Sequence, residues 1–89
     1  MPNVEWSPRV ERSLFRLPKS AQRQVLAAVE RLRSFPDSGI MVREGRYRGT
    51  RRIVIRPHWD LYYRSVGSER TVILTAIRDS RRKPIYNKT

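Results

Sequence analysis

Two helical patterns open the chain, and each is bounded by proline. After Ser7-Pro8, a pair typical of a helix N-terminus, apolar residues recur every three to four positions. These positions are Val10, Leu14 and Leu17. We therefore expect a first helix from about Pro8 to Leu17, which ends there because the residue before Pro18 disfavours helical backbone.

A second amphipathic pattern predicts a helix capped by Ser20 and running to about Ser34, with Pro36 enforcing its end. Its apolar stripe consists of small and branched residues: Ala21, Val25, Ala28, Val29 and Leu32. Two helices separated by so short a turn are expected to form an antiparallel hairpin.

Later in the chain the period of apolar residues changes from 3.6 to two, which is typical of strands. Residues 40–46 show neither period, so we expect a loop there. A short strand is predicted at the N-terminus and three longer ones near the C-terminus: Val4–Trp6, Tyr47–Arg56, Trp59–Val66 and Thr71–Ile77. The last of them is apolar on both faces, so we expect it at the centre of the sheet.

The predicted order β-α-α-β-β-β belongs to the α+β class. Short turns favour an antiparallel meander of the last three strands, joined by the N-terminal strand and packed on one face by the helical hairpin. The opposite face has no element left to cover it, and alternation places four large polar residues there: Arg52, Arg56, Tyr62 and Arg64. We expect one domain over residues 1–89, globular from 3 to 77, with a basic C-terminal tail from 78 to 89.

The net charge of the chain indicates which class of partner the protein binds. The 89 residues carry a formal net charge of +12, and residues 45–89 hold twelve basic against three acidic side chains. Arginine dominates, and its planar guanidinium suits phosphate and carboxylate. We expect a polyanion, either nucleic acid or an acidic protein, to meet the C-terminal half.

Several site classes are excluded or disfavoured. The chain has no cysteine and one histidine, so thiolate and multi-histidine metal sites are excluded, and we expect no metal and no cofactor. No apolar run approaches the length of a membrane span, and the first residues do not resemble a secretion signal. We expect a cytoplasmic protein without membrane contact.

Metal-independent RNA cleavage stays compatible with these residues. It needs a proton acceptor, a proton donor and cations on the phosphorane oxygens, which arginines can supply. His58 has a suitable ordinary pKa, but it is also an ordinary turn residue after Pro57. Tyr86 is a second proton-handling candidate, provided that neighbouring arginines lower its pKa.

Several weak motifs follow one another along the chain in a characteristic order. These motifs are Val4-Glu5-Trp6-Ser7-Pro8, the helical segment from Leu17-Pro18-Lys19-Ser20 to Leu32, Tyr62-Tyr63-Arg64, and Ile73-Leu74-Thr75-Ala76-Ile77-Arg78-Asp79-Ser80-Arg81-Arg82. By their order and spacing, over roughly residues 3–86, the chain resembles the RelE/ParE superfamily of toxins from type II toxin–antitoxin modules. The resemblance implies a RelE/ParE-like fold and an acidic cognate antitoxin as partner.

RelE-like members cut mRNA on the ribosome, and the resemblance implies site residues for that activity. The implied catalytic residues are Arg52, Arg56, Arg81 and Tyr86, with His58 as a weaker candidate. The implied nucleic-acid-binding residues are Arg51, Arg52, Arg56, Tyr62, Arg64, Arg78, Arg82 and Lys83.

Three functions follow as alternatives. The first is a ribosome-dependent mRNA endoribonuclease, which the strong basicity favours. The second is a ParE-like inhibitor of DNA gyrase without chemistry of its own. Val54 and Asp60 favour it, because they stand where RelE-like nucleases carry basic residues. The third is a basic RNA-binding module or a degenerate, non-toxic member of the superfamily.

Overall fold

The computed structural model describes residues 3–81, which form two helices and a five-stranded sheet. In chain order the elements are β1 (Val4–Glu5), α1 (Pro8–Arg16), α2 (Lys19–Ser34), β2 (Ile40–Met41), β3 (Arg51–Ile55), β4 (Trp59–Val66) and β5 (Thr71–Asp79). The predicted α+β fold is confirmed. In the described segment, neither helix is long and apolar enough to cross a membrane.

The helix boundaries follow from local chemistry. Ser7 has extended backbone and its hydroxyl accepts a hydrogen bond from the Val10 amide at 3.2 Å, while Pro8 occupies the first turn of α1. The expected Ser20 cap is wrong. The second helix already begins at Lys19, with Pro18 at the cap position and no side-chain capping bond. Instead, the side-chain Nε2 of Gln22 donates to the Leu17 carbonyl at 2.9 Å and secures the turn between the helices.

The strand order is β1-β5-β4-β3-β2, and two details differ from expectation. The N-terminal strand pairs in parallel with β5, whereas every other pairing is antiparallel. The middle strand of the sheet is β4 and not β5, because β3 and β2 lie on one side of β4 and β5 and β1 on the other. On its outer side β5 pairs only with the two-residue β1, at Val72 and Ile73.

The remaining differences lie at strand ends. The predicted loop at 40–46 contains the short strand β2, which pairs with the start of β3. The first long strand begins at Arg51 rather than Tyr47, and β5 continues through Asp79, two residues into the predicted tail. Each end is decided by pairing with a neighbouring strand, which alternation within one segment does not report.

The core lies between the sheet and the helical hairpin. Its most buried members come from both helices and from β4 and β5: Val10, Val25, Leu32, Leu61, Tyr63 and Val72. The predicted apolar stripes of both helices are buried in it. The helical hairpin therefore covers the sheet face that carries Ile55, Leu61 and Tyr63, and neither helix covers the other face, which we call the open face.

Candidate functional site

The open sheet face carries basic, acidic and aromatic side chains in adjacent rows. Residues that lie opposite each other on neighbouring strands share a face. One row consists of Arg52 opposite Tyr62, and the next places Asp60 opposite both Val54 and Arg78. The structure thus brings together three of the predicted nucleic-acid-binding residues, Arg52, Tyr62 and Arg78.

The acid on this face is buried. Only 7% of Asp60 is exposed, and Arg52 and Arg78 are the charged groups that act on it most strongly. Burial raises the pKa of the Asp60 carboxyl above its ordinary value, and the two guanidinium groups partly offset that effect. When ionised, the carboxylate lowers the positive potential between the two arginines, so it weakens the attraction of this face for phosphate.

The ring of Tyr62 is already covered by another aromatic residue. Tyr47 stacks on it with ring centroids 4.3 Å apart and planes inclined by 18°. The guanidinium carbons of Arg46 and Arg78 lie 5.9 and 5.8 Å from the Tyr47 centroid. Burial, with the Asp60 charge as a smaller cause, raises the pKa of the Tyr62 hydroxyl. Tyr47 is therefore the ring that a ligand would meet.

Tyr47 reaches this position because the segment between β2 and β3 forms a hydrogen-bonded loop. The Thr50 hydroxyl, in a residue that is 1% exposed, donates to the Tyr47 carbonyl at 2.6 Å. The Gly49 amide donates to the Val42 carbonyl at 3.0 Å, and Gly49 has a φ of 89°, which favours glycine. The prediction placed Tyr47 at the start of a strand, so its role here was missed.

The side chain of Arg51 does not lie on the open face with that of Arg52. It points to the opposite side of the sheet, where its guanidinium donates to the Gly39 and Asp37 carbonyls at 2.9 and 3.2 Å. It also lies 3.7 Å from the Asp37 carboxylate, which contacts Arg70 as well. Arg51 therefore holds the turn before β2 in place, and its predicted nucleic-acid contact has no support in this placement.

The other predicted catalytic residues lie at the far end of the sheet. Arg56 is exposed in the turn that follows β3. The His58 ring packs on Trp59 at 4.6 Å, and its backbone carbonyl accepts a hydrogen bond from the Ser80 amide at 2.7 Å. No geometry in the described segment makes His58 a proton donor, and its catalytic role stays a prediction.

The Arg81 guanidinium forms a hydrogen-bonded ion pair with the neighbouring Asp79 carboxylate. Its Nε and Nη2 atoms donate to the two oxygens of Asp79 at 3.1 and 2.8 Å, and its amide donates to the same carboxylate at 2.9 Å. These hydrogen bonds hold the pKa of Asp79 well below its usual range. Asp79 lies opposite Trp59, on the core side of the sheet, so Arg81 is drawn away from Arg52. Tyr86, Arg82 and Lys83 lie outside the described residues.

A groove opens along the outer edge of β5, between α1 and the loop that carries Tyr47. Two adjoining cavities of about 260 and 160 Å³ form it. Its basic lining residues are Arg9, Arg46, Arg64 and Arg78, and it also contains Tyr47, Thr75 and Ala76. We call it the β5-edge groove. Arg64 was predicted as a binding residue, whereas Arg9 and Arg46 were missed because their sequence segments carry no sheet pattern.

A comparison with known families decides the affiliation of this fold. The family model described as ParE toxin of type II toxin-antitoxin system, parDE, matches residues 4–84. The chain belongs to this family. It is thus a toxin of a type II toxin–antitoxin module within the RelE/ParE superfamily, as the sequence motifs predicted. No curated protein sequence matches it significantly.

Solved structures agree with the toxin's fold. A chain of the intact E. coli RelBE toxin–antitoxin complex superposes with a TM-score of 0.74 at 12% identity, covering 92% of this toxin and 100% of that chain. Isolated E. coli RelE gives 0.75 at 13% identity, covering 97% and 92%. The RelBE2 complex from Mycobacterium tuberculosis gives 0.62 at 24% identity, covering 89% and 99%. At these identities the likeness concerns the fold alone.

Proposed function

We propose that this toxin arrests growth by binding a protein target without chemistry of its own, and that the target is DNA gyrase, as in ParE-like toxins. The observation that carries the proposal is Asp60, a buried acid between Arg52 and Arg78 on the open face. A site for phosphoryl transfer needs uncompensated positive charge where negative charge develops. Here a carboxylate occupies that part of the face.

The surroundings of Arg52 support a protein target as well. Ile40 lies opposite Arg52 on the same face and is 66% exposed, and Val54 is 58% exposed. Exposed apolar side chains next to charge are typical of protein interfaces, where their burial is favourable. An RNA backbone is polar and charged, so its binding would gain little from the burial of these apolar side chains.

The positions of the predicted catalytic groups are also consistent with this proposal. Arg81 is paired with Asp79, and Arg51, which was implied as a binding residue only, is engaged on the core side. Of the implied catalytic cations in the described residues, Arg52, Arg56 and Arg81, only Arg52 lies within a strand and on the open face. Transition-state stabilisation requires several groups held in one geometry, so this dispersion favours binding over catalysis.

The antitoxin is the second proposed partner. The solved relatives include RelBE toxin–antitoxin complexes, and this toxin carries a formal net charge of +12. We infer a cognate antitoxin with an acidic toxin-binding segment, because opposite charge both speeds association and orients the complex. Because both proposed partners are cytoplasmic proteins, we also propose that the toxin acts in the cytoplasm.

The target is tested by expressing the toxin without its antitoxin. We expect DNA damage and filamentation with intact mRNA, and inhibition of supercoiling when purified toxin is added to purified gyrase. Tyr86→Phe and Arg56→Ala should arrest growth like the parent, because neither group performs chemistry in this proposal. Cuts at regular codon positions in primer-extended mRNA, lost in these two variants, would refute it.

Ribosome-dependent mRNA cleavage is the second candidate, and one observation favours it. Tyr47 presents a ring next to Arg46, Arg64 and Arg78, which combines stacking surface with phosphate-binding groups. Under this alternative, codon-positioned cuts appear within minutes of induction, and the gyrase reaction is unaffected by the toxin.

A further inference from the structure

Asp60 lies on the middle strand of the open face, between strands that each carry an arginine. Its directly opposite residues are Arg78 on β5 and Val54 on β3, and Arg52 is its diagonal neighbour on β3. Side chains that lie directly opposite have Cβ atoms about 5 Å apart, and diagonal neighbours are about 7–8 Å apart. A ligand that contacts both guanidinium groups from the open face therefore meets the Asp60 carboxylate between them.

The carboxylate of Asp60 lacks the contacts that usually account for a buried acid. Among residues 3–81 it takes part in no ion pair, and no hydrogen bond stabilises its charged form. Because burial raises its pKa, ionised Asp60 lowers the stability of the fold at neutral pH. A charged group that costs stability and has no structural partner in this segment is better explained by what it does to a ligand.

The surroundings of Asp60 are otherwise suited to phosphate. Arg52 and Arg78 supply guanidinium groups on either side of it, and the nearby Tyr47 ring offers a surface on which a base stacks. Glu5, a second acid on this face, lies on β1 opposite Ile73 and beside neither of these two arginines. In the described rows that contain Arg52 and Arg78, Asp60 is therefore the one group that opposes a polyanion.

We propose that Asp60 is a specificity-determining residue that excludes single-stranded nucleic acid from the open face. Its carboxylate repels a phosphate held between the two arginines, whereas a protein can place a hydrogen-bond donor or a basic side chain opposite it. At about 5 Å this repulsion lowers affinity about fourfold at the dielectric constant of water, and by more where water is excluded. The proposal rests on the proposed function, since it assigns the open face to a protein partner.

Binding of a fluorescent dodecauridylate to the full-length toxin tests the proposal, with anisotropy followed between about 50 and 200 mM KCl. We expect Asp60→Asn and Asp60→Ser to bind this RNA at least fivefold more tightly than the parent. The slope of log K against log salt should steepen by about 0.7, which corresponds to one additional phosphate contact on a single strand. The matched control is Glu69→Gln, which removes the same charge from an exposed turn between β4 and β5 and should change affinity less than twofold.

Arg52→Ala locates the effect on the open face. Combined with Asp60→Asn it restores the net charge of the parent, and affinity should return to within twofold of the parent because the phosphate loses one of its two guanidinium groups. Equal tightening by Asp60→Asn and Glu69→Gln overturns the proposal, since the effect is then one of overall charge. Unchanged affinity of the two Asp60 variants overturns it as well, as does a gain that survives Arg52→Ala.

These binding assays contain no gyrase, so the role of Asp60 and the cellular target fail separately. If the parent inhibits supercoiling and the Asp60 variants bind RNA no better than the parent, the role of Asp60 is refuted and the gyrase target stands. If the parent leaves gyrase unaffected and the Asp60 variants gain affinity for RNA through Arg52, the gyrase target is refuted and the role of Asp60 stands.

Discussion

The hydroxyl of Tyr63 joins the sheet to the turn that precedes β2. Tyr63 is fully buried, and its hydroxyl donates to the Pro36 carbonyl and accepts from the Gly39 amide, both at 2.8 Å. The Gly39–Tyr63 hydrogen bond is buried. Tyr63→Phe removes one oxygen atom, keeps the ring, and leaves two backbone groups without that partner.

The expected loss follows from these two bonds. An unsatisfied buried donor costs about 1–3 kcal/mol, and an ordinary intramolecular hydrogen bond contributes about 1 kcal/mol. We therefore expect Tyr63→Phe to lower the free energy of unfolding by about 2–3 kcal/mol. For a domain of this size that corresponds to a fall in Tm of roughly 8–24 °C.

The matched control is the neighbouring tyrosine. Tyr62→Phe removes the same atom from a half-buried ring that keeps its stack on Tyr47, and should change stability by less than about 0.5 kcal/mol. Thermal and urea unfolding, followed by circular dichroism, measure both variants. Equal midpoints for the two would refute the reasoning, because the fully buried Tyr63 hydroxyl would then contribute no more than the half-buried hydroxyl of Tyr62.

Three further perturbations test the structure. Burial raises the pKa of Asp60, so the unfolded chain gives up this proton at lower pH and the fold loses stability as pH rises from about 3.8 through the folded pKa. Asp60→Asn has no carboxyl to ionise, so its free energy of unfolding, measured in urea, should exceed that of the parent at pH 7 and equal it below pH 3.8. A difference between variant and parent that does not change with pH would contradict this account. Ser7→Ala should cost about 1 kcal/mol because the Val10 amide loses its cap, and an unchanged Tm would argue against that bond. Gly39→Ala should cost about 1–3 kcal/mol, since its Cβ would lie 2.8 Å from the Tyr63 ring and hydroxyl, and in a double-mutant cycle Tyr63→Phe should relieve part of this cost.

Most of the fold was predictable because its elements are amphipathic and bounded by proline or turn residues. The apolar stripes of α1 and α2, the alternation in β3 and β4, and the open face with Arg52 and Tyr62 all follow from local pattern. Burial of an apolar face is the largest favourable contribution to folding, so a periodic apolar pattern carries that information directly.

The candidate site was predictable only in part. Arginine positions on β3 and β4 were found, but alternation does not report that Tyr47 folds back onto Tyr62, or that Asp79 holds Arg81. Both contacts depend on loop geometry and on which strand ends meet. The short strand β2 was missed for the same reason, since two residues show no period.

The amino-acid sequence by itself determined the helices, the long strands, the arginine-rich charge and the family motifs, because each depends on residue type and spacing within one segment. Tertiary structure alone decided which charges neutralise one another and which remain available to a partner. The Asp60 carboxylate partly neutralises Arg52 and Arg78, whereas Arg9 and Arg46 line the β5-edge groove together. Electrostatic interaction depends on distance through space and on burial, and neither quantity is set by separation along the chain.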